Sequence, residues 1–392
     1  PNKHRLKFRI GWNYDRILRG SVRALNDRTT LGPLMERVLN GIKVLDLSRV
    51  LAGPYAAQNL ADLGADVLKI EAPWGDDTRK WGPPFTNDFT GGRVAAYFLS
   101  CNRGKQIIRM NFKEERDKLN SLIKQSDVII ENFRPGTFRR FADEISENQI
   151  LCSISGFGAT GPRNSEPGYD LSIQARSGIM SITGEPNRPP VKVGVAWIDV
   201  ITGLQATTAI MAALFHRERT GLGQRIDISL WDCAIAALVN QAQNQLTTKK
   251  DPLPMASAHP NLVPYRAFQA SDGWFVLAVG SDDQWKRTSD ILGLEMNEEW
   301  SKNEGRILHR AKIETILADI FIQNNRSHWE EILLGIPCAP VNTVGEALED
   351  AQSLARGAIW NINGTDTLAN PLRWMSLTPA TPNIQPETEF CL

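Results

Sequence analysis

The sequence predicts an α/β protein: a large domain built on a doubly wound parallel sheet, joined by long linkers to a smaller α+β domain. Three observations predict it. Short apolar runs alternate with polar, helix-like segments over residues 41–198, the pattern of β-α-β units. A long helical stretch, Asp199 to Arg219, follows and closes before Gly221 and Gly223. Beyond a proline-rich loop, two strand-like runs flank Ser271-Asp272-Gly273, a hairpin signal.

Taken in order, Ile42 to Leu47 reads as a strand, and Pro54 and Gly64 bracket a helix as N1 proline and trailing glycine would. Asp66 to Glu71 completes the first β-α-β unit. Ser126 to Ile130 and Ile150 to Ser155 are further strands, separated by helical segments such as Lys113 to Gln125. Asp199 is placed to cap the long helix, which at 1.5 Å per residue spans roughly 30 Å, enough to bridge two domains. Residues 199–264 are therefore linker, ending in Asp251 to Pro264, with four prolines and no period. Residues 265–325 form the small domain, with helices over Asp283 to Leu292 and Glu304 to Phe321. Residues 326–392 are expected to return the chain to the large domain through Trp329 to Leu334, Ile336-Pro337 and Val341 to Val344. There are no internal repeats.

Composition narrows the function. The 392 residues carry 44 Lys plus Arg against 44 Asp plus Glu, so nothing in the charge balance attracts nucleic acid or an acidic membrane surface. With 42% hydrophobic residues the chain can bury a sizeable core. No unbroken apolar run reaches the roughly 18 residues of a bilayer span, so the expectation is a soluble protein acting on small molecules. Cys101, Cys152, Cys233, Cys338 and Cys391 are odd in number and far apart, with no metal-ligand spacing, which fits a reducing compartment and no metal. Residues 1–40 differ, with nine Lys or Arg against three acids. They read as a mitochondrial transit segment or as a basic helical arm.

Gly156-Phe157-Gly158-Ala159-Thr160-Gly161 satisfies GxGxxG after a strand, yet Pro162 to Pro167 follow where the dinucleotide fingerprint requires a helix. There is no G-x-S-x-G for a serine hydrolase, and between His4 and His216 the chain has no histidine. His259, in the loop before the small domain, is an exposed loop imidazole or a site residue. Asp170 stands just before a helix-like segment. It is an N-cap, a nucleophile toward an activated acyl carbon, or both, since a helix N-terminus keeps a carboxylate ionised. Lys69, Arg79, Lys80, Arg103, Lys105, Arg134, Arg139 and Arg140 crowd loops near strand ends, as phosphate ligands or as solvated surface.

In order along the chain, Gly41-Ile42-Lys43-Val44-Leu45-Asp46-Leu47-Ser48-Arg49-Val50-Leu51-Ala52-Gly53-Pro54, Asp62-Leu63-Gly64-Ala65-Asp66, Asn102-Arg103-Gly104-Lys105, Glu131-Asn132-Phe133-Arg134-Pro135-Gly136, Ser155-Gly156-Phe157-Gly158, Gly168-Tyr169-Asp170 and Arg219-Thr220-Gly221-Leu222-Gly223-Gln224 resemble the class III (CaiB/BaiF, formyl-CoA transferase-like) CoA-transferases. Asp76-Asp77-Thr78-Arg79, Trp81-Gly82-Pro83-Pro84-Phe85 and Ala258-His259 are similar to the mitochondrial subgroup that moves CoA between succinyl-CoA and glutarate or hydroxymethylglutarate. The resemblance implies a Rossmann-like large domain, an interlocked homodimer and a matrix or, alternatively, cytoplasmic enzyme. It implies no permanently bound cofactor, with coenzyme A and acyl-CoA as substrates. Asp170 would be the nucleophile, passing through an aspartyl anhydride and an aspartyl-CoA thioester. Arg49, Val50, Ala52, Asn132, Phe133, Thr137, Arg140, Ser155 and Phe157 would line the CoA cleft, and Met110, Asn111 and Lys113 would hold the adenine end. Leu51, Ala72 and Ser155 depart from the Gln, Arg and Lys of formyl-CoA transferase, so nucleotide contacts and substrate choice must differ. The C-terminal segment reads as shorter than its counterparts in relatives.

Two alternatives stand beside this. An acyl-CoA racemase of the same fold needs paired bases with His ahead of the Asp, whereas Tyr169 precedes Asp170 here. A non-catalytic CoA-binding homologue would not need a carboxylate at that position.

Overall fold

The computed structural model describes residues 38–373 except 88–91, 144, 296 and 363. The expected transit segment through residue 37 and the end of the return segment lie outside them. The described residues divide into two units, the first within 38–167, 199–230 and 355–373, the second within 168–198 and 231–354.

Among the described residues of the first unit, six parallel strands form one sheet: β1 (Lys43–Asp46), β2 (Asp66–Glu71), β3 (Gln106–Arg109), β4 (Val128–Glu131), β5 (Ile150–Ser155) and β6 (Arg225–Ser229). Their order is β3-β2-β1-β4-β5-β6, the doubly wound arrangement expected. Strands covered on both faces are near-continuous apolar runs, and Val44, Leu45, Leu68, Ile129 and Ile130 are buried. Each such side chain contributes roughly 1.5–3 kcal/mol relative to exposure.

Helix α1 (Ala52–Asp62) starts two residues ahead of the expected Pro54 and is capped by Leu51 without a side-chain bond. Its end matches expectation. Gly64, at φ +100°, donates its N–H to Ala61 O at 2.9 Å, and Ala65 N–H reaches Leu60 O at 3.0 Å, the paired bonds of a Schellman stop. Helix α2 (Arg116–Lys124) buries Leu119, Leu122 and Ile123 against the sheet core.

In the second unit, helix α3 (Asp170–Arg176) precedes an antiparallel sheet of β7 (Tyr265–Ala270), β8 (Gly273–Ala278) and β9 (Cys338–Pro340). The Ser271-Asp272 turn pairs Ala270 with Gly273, as the hairpin signal predicts. Helices Asp282–Leu292, Arg310–Phe321 and Arg326–Ile332 cover this sheet around Phe268, Phe275, Phe321 and Trp329. The segment expected as one helix from Glu304 breaks at His309 into two.

The expected boundaries shift at three places. Residues 168–198, expected in the large domain, cluster with the second unit. Residues 199–230, expected as linker, belong to the first because β6 pairs with β5. The return begins at residue 355 and not at 326, since β9 pairs antiparallel with β8.

Helix α4 (Trp197–Thr220) begins two residues before the expected cap, so Asp199 sits in its first turn. It is long and apolar enough to cross a membrane by length and composition, which the lack of an unbroken apolar run did not anticipate. Ala206, Ile210, Ala213 and Leu214 are buried within the protein, and Arg217 pairs with Asp127 at 2.8 Å.

Candidate active site

In the first unit, β1 lies between β2 and β4, the point where the strand order reverses and an α/β sheet opens a crevice at its carboxyl ends. The loops after β1 and β4 line it, and they carry Arg49, Val50, Asn132 and Phe133. Asn132 ties them together: Arg49 N–H donates to Asn132 Oδ1 at 3.0 Å, and Asn132 Nδ2 donates to Arg49 O at 2.7 Å. A side-chain amide thereby replaces a missing ladder bond. The Arg49 guanidinium is largely exposed and meets Asp77 at 3.1 Å.

Val50 holds φ at +72°, a left-handed conformation that a β-branched residue adopts only under constraint. Its carbonyl accepts from Cys101 Sγ at 3.5 Å. Gly53 is required by space, because a Cβ there would lie 2.3 Å from Ser48 Oγ. Ala52 is buried at the uncapped start of α1, whose first N–H groups suit an anion.

Beneath this loop runs a buried ion network. Lys105 Nζ donates to Asp46 Oδ2 at 2.9 Å, Pro54 O at 2.8 Å and Asn102 Oδ1 at 2.9 Å, so all three ammonium donors are placed. Lys69 Nζ donates to Ser48 O at 2.7 Å and pairs with Asp76 at 3.2 Å. Ser48 turns its N–H and hydroxyl onto Asp46 Oδ1. Burial opposes charge on Asp46, yet Lys105 and Lys69 hold its carboxyl below the ordinary range. Burial also opposes charge on Lys69, and Asp46 and Asp76 raise it nonetheless. Burial pulls Lys105 down.

These contacts correct the list of phosphate-binding candidates. Lys69 and Lys105 are fully buried and committed to the loop, Arg103 is bidentate on Asp62, and Arg79 is bidentate on Glu71. Arg134, Arg139 and Arg140 are exposed.

The remaining expected residues fall into place unevenly. Phe133 stacks edge-on with Phe112 and Phe141, and its N–H donates to Glu131 at 2.8 Å. Thr137 is half-buried where the short helix Phe138–Phe141 starts. Met110 is buried in the sheet core with Leu47 and Ile108, and its N–H donates to Glu71 O at 2.9 Å, so its side chain faces the core and its N–H is committed to the sheet. Asn111 shapes its own turn by accepting from Lys113 N–H at 3.2 Å, and Lys113 is exposed. Ser155 Oγ accepts from Gly158 N–H at 2.9 Å, which folds the glycine loop back on β5, and Phe157 is half-buried beside it. The loop opens no helix before α3, in keeping with rejection of the dinucleotide fingerprint.

In the second unit, Asp170 is the first residue of α3 and Tyr169 is its cap, a shift of one position from the expected N-cap. The carboxylate is buried. Oδ1 accepts from Ile198 N–H at 2.8 Å, and Oδ2 accepts from Gln174 Nε2 at 2.6 Å. A carboxylate buried and held by oriented donors is a preorganised nucleophile or base. Sequence reasoning missed Gln174, although its place four residues after Asp170 on a helix was the available signal. It also gave no role to Asp46 and Asn102, although both lie within the quoted motifs.

His259 N–H donates to Tyr265 O at 2.9 Å, and its Nδ1 accepts from Asn261 N–H at 3.0 Å. Burial and Arg310 lower its pKa. Its bonds fix the loop. Cys101 and Cys152 are buried thiols, raised to about 11 and about 12 by loss of solvent. Among the described residues, no three His, Cys, Asp or Glu side chains converge as metal ligands.

Comparison with known proteins shows the family. Residues 39–388 match the model of CoA-transferase family III. A succinate–glutarate CoA-transferase of Agrobacterium fabrum is 40% identical over 351 residues, spanning 85% of this chain and 87% of that protein. A succinyl-CoA:glutarate CoA-transferase of Mus musculus is 40% identical, over 83% of this chain and 77% of its own. The crystal structure of a CAIB/BAIF family protein from Brucella suis superposes with a TM-score of 0.78 at 44% identity, covering 86% of this chain and 92% of that one.

Proposed function

The chain belongs to CoA-transferase family III and is a CoA-transferase, and from that premise we propose that it moves CoA from succinyl-CoA to glutarate or a related dicarboxylate through covalent intermediates on Asp170. The observation that carries the mechanism is the buried Asp170 carboxylate with a directed donor on each oxygen. The substrate reading draws on the two relatives named above.

In the proposed cycle, Asp170 attacks the thioester carbonyl, a C–O bond forms, the C–S bond breaks and CoA leaves as thiolate. The thiolate attacks Asp170 Cγ, and the donor acid departs as the anhydride C–O bond breaks. The acceptor carboxylate then attacks the aspartyl thioester, and the returning thiolate takes the acceptor acyl group, which restores Asp170. Splitting the exchange avoids direct displacement by a weak carboxylate nucleophile. The Ile198 N–H faces an Asp170 oxygen that becomes anionic when Cγ turns tetrahedral.

Arg49, Val50, Ala52, Asn132, Phe133, Thr137, Arg140, Ser155 and Phe157 are proposed to take CoA, with Asn111, Lys113 and the Met110 main chain at its adenine end. We further propose a homodimer and matrix localisation. Analytical ultracentrifugation tests the first, with a monomer counting against it. Imaging of a tagged full-length gene tests the second, and a diffuse cytosolic signal would contradict it.

The deciding assay incubates purified protein with succinyl-CoA and a panel of dicarboxylates and resolves the CoA esters by mass spectrometry. New glutaryl-CoA from the wild type and none from Asp170→Asn is the expected result. Turnover retained by Asp170→Asn would remove that residue from the mechanism.

A further inference from the structure

α3 places Gln174 one turn after Asp170, so the two side chains share a helix face. Gln174 is fully buried, and both ends of its carboxamide are used. Val193 N–H donates to Gln174 Oε1 at 3.0 Å, while Nε2 donates to Asp170 Oδ2 at 2.6 Å. The main-chain donor decides which end of the amide faces which partner, because an N–H needs the oxygen. Asp170 Oδ1 meanwhile takes the N–H of Ile198 at 2.8 Å. Two donors on two oxygens, supplied by separate stretches of chain, define the plane of the carboxylate and not merely its position.

We propose that Gln174 is a positioning residue for Asp170, a carboxamide clamped by the Val193 main chain that sets the angle at which the carboxylate meets the acyl carbon. The proposal rests on the reading of Asp170 as nucleophile. Burying an amide costs more than burying a methionine of similar size, unless both of its ends are satisfied. Here they are satisfied in a way that fixes a neighbouring group. Formation of the C–O bond with loss of the C–S bond, and later attack of thiolate on Cγ with loss of the anhydride C–O bond, both depend on the carboxylate plane. Donor binding does not. Releasing the clamp should therefore lower kcat and leave KM for succinyl-CoA in place.

The test uses full-length protein carrying Gln174→Met or Gln174→Glu. Both should lose about 10- to 100-fold in kcat, the scale of a small misplacement of a reacting group, with KM for succinyl-CoA unchanged within about twofold. Gln174→Glu should be the slower, since it keeps an oxygen for Val193 but sets a second carboxylate against Asp170. Mass mapping of quenched wild type locates the acyl or CoA adduct. Wild type labelled on Asp170 with both variants turning over within about threefold of it would overturn the Gln174 proposal alone. Wild type that turns over while never labelling Asp170 would overturn the nucleophile reading, and this proposal with it. Should Gln174→Met fail to fold, Val193→Pro removes the N–H that holds Oε1, together with the valine side chain, and Val193→Ala controls for the side chain. A kcat reduced about 3- to 10-fold in Val193→Pro relative to Val193→Ala supports the clamp, and an equal kcat refutes it.

Discussion

Asp46 and Asp170 are both buried carboxylates, yet the two units use them in opposite ways. Asp46 sits at the end of β1 between two ammonium groups and a serine, and its charge is spent holding the loop that carries Arg49, Val50 and Ala52. Asp170 sits at the start of α3, where a carboxamide and a main-chain amide orient it. Burial and charge alone do not distinguish the structural acid from the one proposed to react. The partners do: cations neutralise, whereas directed N–H donors aim. In the first unit the proposed ligand surface is shaped backbone stabilised from below, and in the second it is a single oriented side chain.

The sharpest way to break this contrast is to exchange the charges. Asp170→Asn should cost at least about 10³-fold in transfer and about 1–3 kcal/mol of stability, since one of the two donors then faces the Asn amide, read by steady-state kinetics and urea titration. Lys105→Met should tilt the balance the other way. Leaving Asp46 short of a buried partner costs about 3–5 kcal/mol of stability, and the catalytic loss should follow only through weakened acyl-CoA binding.

Arg49→Ala sharpens the comparison further. Its pair with Asp77 is solvent-exposed, so stability should move by less than about 0.5 kcal/mol, while KM for succinyl-CoA rises about tenfold if the guanidinium meets a phosphate. Gly64→Ala should have the smallest effect, about 1 kcal/mol from the left-handed stop of α1 and no change in KM.

Acid titration separates the groups by sign. Asp46 and Asp76 titrate below their unfolded values, Asp46 because Lys105 and Lys69, and Asp76 because Lys69 and Thr78, outweigh burial. Their stabilisation is complete above roughly pH 4 and is lost as pH falls through the lowered values. Glu131 is raised by burial and returns some stability as it protonates. Urea midpoints between about pH 3 and 7 should therefore fall on the acid side by less than the first two carboxylates alone would give.

The sheet was legible because its strands are apolar runs bounded by turn residues, and β2 and β5 match the sequence reading at both ends. The unit boundaries were not. Pairing of β9 with β8, and of β6 with β5, depends on contacts between residues far apart in the chain, which periodicity does not encode. In the candidate site, Asp170 stood out through its motif. The commitment of Lys69 and Lys105 to buried partners was invisible, because a lysine near a strand end reads alike whether it faces a ligand or the interior.

Val50 carries one further consequence. A β-branched residue held at φ +72° is a standing debt of the fold, and glycine at that position would relieve it. Val50→Gly is then the change that a library sorted for thermal resistance would enrich and that a library sorted for turnover would deplete. The loop beside α1 is thus a place where evolvability toward robustness and evolvability toward new substrates pull apart, and laboratory evolution of this chain should register that conflict there first.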